Sequence, residues 1–67
     1  MNIAELTTAS LRLLHDAVIQ AVKVDDETPP GQTKPHNARG TPDWREWSAA
    51  LEAELTKRGE PFHPVKW

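Results

Sequence analysis

The sequence predicts an all-α fold, an antiparallel hairpin of two helices, and three observations lead there. One segment carries a complete set of helix start, stop and seam signals. A second, longer segment has helical periodicity but no strand-like alternation. Between them lies a Pro- and Gly-rich stretch without a large apolar residue. The expected layout is one small domain over residues 1–67. A first helix covers about 3–24, a loop 25–41, a second helix 42–58 and an extended tail 59–67, packed back on the helices.

The second helix is the best marked. Thr41 offers a side-chain oxygen to the free amides of a first turn. Pro42 follows where a missing N–H costs nothing, and Asp43 puts negative charge at the positive end of the helix dipole. Lys57 and Arg58 sit at the opposite end, and Gly59 can take the left-handed conformation that closes a helix. Between these ends Trp44, Trp47, Ser48, Leu51 and Leu55 recur at spacings of three and four, a narrow seam along one face. Glu54 and Arg58 are placed for an ion pair across one turn.

The first helix is expected to open at Asn2, with Glu5 three residues on in a capping-box pattern. Its apolar stripe comprises Ile3, Leu6, Leu13, Leu14, Ala17, Val18, Ala21 and Val22, with Leu11 at the margin, and Thr7 and Ser10 lie within it. That stripe covers about half the circumference, which suits a helix with two neighbours. Glu5, Arg12, Asp16 and Lys23 take the other face, where Ile19 also projects. Asp25, Asp26 and Glu27 would oppose the dipole if the helix continued through them.

The stretch 27–40 holds three of the six prolines and two of the three glycines. It exceeds the usual helix–helix connection of about 2–8 residues. Its cations Lys34, His36 and Arg39 on a Pro-stiffened backbone could meet a partner. In the tail, Pro61 and Pro64 exclude helix, while Phe62, Val65 and Trp67 are expected to cover the end of the seam. The expected core is therefore Leu14, Val18, Trp44, Trp47, Leu51, Leu55 and Phe62. Leu11, Ile19, Lys34, His36, Arg39 and Trp67 are the candidate interaction residues.

Composition excludes more chemistry than it suggests. With no cysteine there is no disulfide, thiolate metal site or thiol nucleophile. His15, His36 and His63 match no zinc-ligand spacing. His15 and Asp16 are adjacent on a helix and point about 100° apart, so they cannot pair as a catalytic dyad. No phosphate-binding glycine loop and no nucleophile elbow is present. Neither catalytic residues nor cofactor or metal sites are therefore assigned.

A net charge of −2 argues against general nucleic-acid binding. No apolar run has membrane-spanning length, and the N-terminus lacks the pattern of a secretory signal. The sequence thus points to a cytoplasmic, non-enzymatic interaction or assembly module. An accessory subunit, or a small component of a phage or mobile-element particle, is the expectation. Its partner would be another protein or a second copy, two hairpins making a four-helix bundle. The alternative is a small dimeric DNA-associated regulator using the loop cations.

Overall fold

The computed structural model describes residues 2–67. Two α-helices, α1 (Thr8–Glu27) and α2 (Pro42–Lys57), pack against each other as a hairpin, preceded by a 3-10 turn, Ile3–Glu5. Among the described residues there is no strand.

The entry to α1 differs from the expected one. Two capping signals compete, and the chain uses both. The Asn2 side chain accepts the Ala4 amide, but this closes only the 3-10 turn. Leu6 and Thr7 are then extended, and Thr7 Oγ1 accepts the Ser10 amide at 3.1 Å, which makes Thr7 the true cap of α1. The helix therefore begins at Thr8 rather than Ile3. It ends at Glu27 rather than near Val24, because Asp25 and Asp26 find partners outside the helix.

The buried face of α1 is also rotated from the expected stripe. Leu11 is 0% exposed and Leu13 is 71% exposed. The buried row is Leu11, His15, Val18, Ala21, Val22 and Asp25. Leu11 is thus a core residue, and its assignment as a contact residue is corrected. The corrected row keeps spacings of three and four but includes a histidine and an aspartate, so a count of apolar residues alone passes over it.

The core proper is Leu11 and Val18 from α1 with Leu51 and Leu55 from α2. Ile3, Leu6, Leu14, Trp44, Trp47, Phe62, Val65 and Trp67 pack around it, each partly buried. Ser48, on the same face of α2 as Leu51 and Leu55, is buried and returns its hydroxyl to the Arg45 carbonyl.

The start of α2 lacks the expected side-chain cap. Thr41 makes no such bond, and only its carbonyl receives the Trp44 amide. Its extended backbone suits the residue before a proline. The far end closes by a Schellman motif. The Glu60 amide reaches the Leu55 carbonyl, and the Gly59 amide reaches that of Thr56. Gly59 has φ +72° there, a conformation with a steric cost for any side chain. Glu54 and Arg58 pair at 2.8 Å across the last turn.

Two measurements check this packing. Leu11→Ala should lower the unfolding free energy by about 2–5 kcal/mol, whereas Leu13→Ala should change it by less than about 0.5 kcal/mol. Urea denaturation followed by tryptophan fluorescence compares them, and equal losses would contradict this orientation of α1. Gly59→Ala should cost about 1 kcal/mol in the same assay through the left-handed residue alone, since a Cβ there meets no atom within 4 Å.

Candidate functional site

The polar residues that α1 buries define the most organised region of the molecule. Asp25 is 1% exposed and lies in the last turn of α1. Its two oxygens face the connecting loop. Oδ1 accepts the His36 amide at 3.0 Å and Oδ2 accepts the Ala38 amide at 2.7 Å. The loop thus folds back over the carboxylate, and Ala38 becomes buried. Asn37, between the two donors, takes the left-handed conformation with φ 48°. Asparagine tolerates that region better than most residues. Its side chain fills the space beside Gly40, where an added Cβ would come within 2.5 Å of Asn37 Oδ1.

Asp26 points to the other side of the same turn. Arg39 Nε and Nη2 donate to its two oxygens at 3.0 and 2.9 Å, a bidentate fork. The same guanidinium donates to the carbonyl oxygens of Lys66 and Trp67. Arg39 therefore joins α1, the loop and the tail. Hydrogen bonding to Arg39 lowers the Asp26 pKa and outweighs burial, which raises it; the Arg39 and Lys34 charges lower it further. The same pairing raises the Arg39 pKa. For Asp25, burial is the largest single influence and raises the pKa. The Ala38 and His36 amides, with the charges of His36 and Lys34, together bring it below the ordinary value.

A second polar node sits mid-molecule. His15 is 5% exposed, and its Nε2 lies 2.8 Å from Glu52 Oε2 on α2. The Val65 amide donates to that same oxygen at 2.9 Å. The His15 ring packs edge-on against Phe62, with centroids 5.5 Å apart. Two further arginines hold the outer elements. Arg12 donates to the Pro61 carbonyl and to Glu60, and Arg58 donates to Thr8 Oγ1 and the Ala4 carbonyl.

Seen against this geometry, the candidate interaction residues separate into different roles. Leu11 is interior. Arg39 is engaged in holding the chain together. His36 is exposed but fixed through its amide, with its ring edge-on to Trp44 at 5.7 Å. Trp67 is half-buried, with the Arg45 guanidinium 5.3 Å from its ring centroid. Lys34 is an exposed loop cation. Ile19 is half-buried at the edge of a shallow cleft between α1 and tail residues 61–63. Of the expected core, Val18, Leu51 and Leu55 are fully enclosed, while Leu14, Trp44, Trp47 and Phe62 line its rim.

Sequence reasoning passed over three features: the two polar nodes, and the outward row on α1. Asp25 carried a signal, an acidic residue at the wrong end of a helix dipole before a loop with few anchors of its own. Among the described residues, Leu13 and Val24 are the large apolar side chains left exposed, at 71% and 44%. Both lie on the face of α1 turned away from α2. An open groove of about 620 Å^3 beside Trp44 and Trp47 adds apolar surface near the start of α2. Among the described residues, no three His, Cys, Asp or Glu side chains are grouped to hold a metal ion, and no helix is long and apolar enough to cross a membrane.

Comparison of the chain with protein-family models, with curated proteins and with solved structures gave no match.

The acid response of the loop follows from Asp25 and Asp26. Both carboxylates have folded-state pKa values below the ordinary one. Their stabilising contribution is complete above the unfolded value of about 3.9 and is lost as pH falls through the lower folded values. Melting temperature should therefore drop steeply below about pH 4. Asp25→Asn should melt lower at neutral pH, because an amide nitrogen then faces one of the loop donors. It should also show a shallower acid drop. A variant with the wild-type melting curve at both ends of the range would remove Asp25 from this role.

Proposed function

We propose that this chain is a small non-enzymatic protein-interaction or assembly module, working in the cytoplasm or built into a particle assembled there. The carrying observation is the outward row on α1. Leu13 and Val24, the two large exposed apolar side chains among the described residues, stand on one face at helical spacing with Ala17 and Gln20 between them. A scattered exposed leucine needs no explanation, but an aligned row on a 20-residue helix is the form that helix-mediated contacts take.

The titratable groups in and around the interior fit a structural role. His15, Asp25 and Glu52 are all engaged with groups of the chain itself: Asp25 holds the loop, and Glu52 bonds both His15 and the tail amide of Val65. The reading as a DNA-associated regulator has less support. It relied on Lys34, His36 and Arg39, and Arg39 is turned onto Asp26 and the tail. The remaining cations sit beside three acidic residues at the end of α1, a poor footprint for phosphate.

The test compares two baits in an extract of the native host, the wild-type chain and a Leu13→Glu/Val24→Glu variant shown by circular dichroism to be folded. Partners retained by the wild type and lost from the variant are expected. An identical set on both baits would overturn the assignment of this face.

A further inference from the structure

We infer that the outer face of α1 pairs with the same face of a second copy of this chain, antiparallel, about a two-fold axis between Ala17 and Gln20. The inference rests on the reading of this face as an interaction surface and names its occupant. What points to a second copy is the charge pattern beside the apolar row.

Leu13, Ala17, Gln20 and Val24 are separated by four, three and four residues and are all exposed. That is the spacing of a seam between two helices. In the antiparallel arrangement Leu13 lies level with Val24 of the second copy, and Ala17 level with its Gln20. Each large or long side chain then meets a smaller one. A polar side chain in such a seam fixes register at some expense of affinity.

Along one flank of this row run Arg12, Asp16, Lys23 and Glu27, all exposed. Read from the N-terminus they alternate plus, minus, plus, minus. A second copy running the other way presents minus, plus, minus, plus. With Leu13 and Val24 level, Asp16 and Lys23 of the second copy stand two residues out of step, about 3 Å along the axis, a distance that the flexible lysine side chain spans. Arg12 meets Glu27 in the same way, and symmetry repeats both contacts. A parallel pair would instead set this flank against Ser10, Leu14 and Ala21, which carry no charge. The pattern is therefore self-complementary in one orientation only.

Within one copy, the ion pairs among the described residues leave Asp16, Lys23 and Glu27 unused, whereas Arg12 already holds Glu60. The Asp16–Lys23 contacts consequently carry the discrimination. A single helix about 30 Å long offers a small interface, in the class below about 1,200 Å^2 that forms weak and transient complexes. Association should appear at high protein concentration and weaken with added salt.

The experiment is sedimentation equilibrium of the purified full chain from micromolar to millimolar concentration at low salt. The mass should rise from monomer toward dimer. Asp16→Lys and Lys23→Asp should each weaken association about tenfold, since each turns two attractive contacts into repulsive ones. Mixing the two single variants should restore it, because every contact in the mixed pair again joins opposite charges. A Glu5→Lys and Lys34→Asp mixture, which carries the same net charges on other surfaces, should show no such gain. A monomer mass throughout, or a variant mixture no tighter than its components, would overturn the inference. If the chain stays monomeric while the Leu13/Val24 substitutions still strip partners from the bait, the second copy is wrong and the interaction module stands. If the baits also behave alike, both readings fall.

Discussion

Two carboxylates at the end of α1 hold the connecting loop and, through Arg39, the tail. Asp25 and Asp26 stand where the helix dipole disfavours negative charge, and Asp25 is removed from water as well. Such a position is tolerable only if the loop supplies donors, and it does so from two successive turns of chain. Once His36 and Ala38 are fixed to Asp25, Ala38 enters the interior and Arg39 faces Asp26. Arg39 then gives two further N–H groups to the tail carbonyls of Lys66 and Trp67. Loop, tail and the start of α2 are thus all referred to one turn of α1. The gap between the helices is long by the standard of helix hairpins, but the two amide bonds divide it into shorter closures, and closure entropy grows only slowly with length.

This arrangement answers the problem set by size. A chain of 67 residues without cysteine has a small apolar interior and no covalent cross-link. Among the described residues, the enclosed core cluster is Leu11, Val18, Leu51 and Leu55. Around them the chain places charged hydrogen bonds that span large sequence separations, Arg12 to the tail, Arg58 to the 3-10 turn and His15 to Glu52. Each is modest alone, and the exposed pairs are worth least. Glu52 differs because one oxygen serves both a buried ring and a tail amide, so its loss would leave two donors unmatched. Every buried side-chain nitrogen or oxygen among the described residues has a partner.

These polar anchors also explain what could be read from the sequence. Both helices, the Leu51/Leu55 seam and the Gly59 stop were legible because their signals are local: spacing, end charges and a residue suited to positive φ. The orientation of α1 was not, because its buried row runs Leu11, His15, Val18, Val22, Asp25. Two polar members disguise that row, and the more apolar set around Leu13 and Ala17 outcompetes it on any hydropathy count. Thr7 was hidden by Asn2, an equally good cap five residues earlier. The cleft beside Ile19 and the groove beside Trp44 depend on where the tail and α2 lie, which no local pattern encodes. The outward row was misread for the same reason as the inward one, since rotating the helix exchanges them.

That exchange has a consequence for the surface. A helix that buries His15 and Asp25 gives up two interior positions that apolar side chains could occupy. The large aliphatics Leu13 and Val24 remain exposed on the opposite face. If the outer row served solubility alone, charged or polar residues there would be favoured, as at Arg12, Asp16 and Lys23 on its flank. Instead the apolar row is bordered by charges in an order that complements itself on reversal. Opposite charges four residues apart, Arg12 with Asp16 and Lys23 with Glu27, also favour the helix itself. The order of the second pair relative to the first, however, is not set by contacts one turn apart, since Asp16 and Lys23 are two turns apart, and it is this order that puts opposite charges opposite each other in an antiparallel pair. The proposed association uses that relative order, and the interior polar groups hold α1 in the orientation that exposes this face.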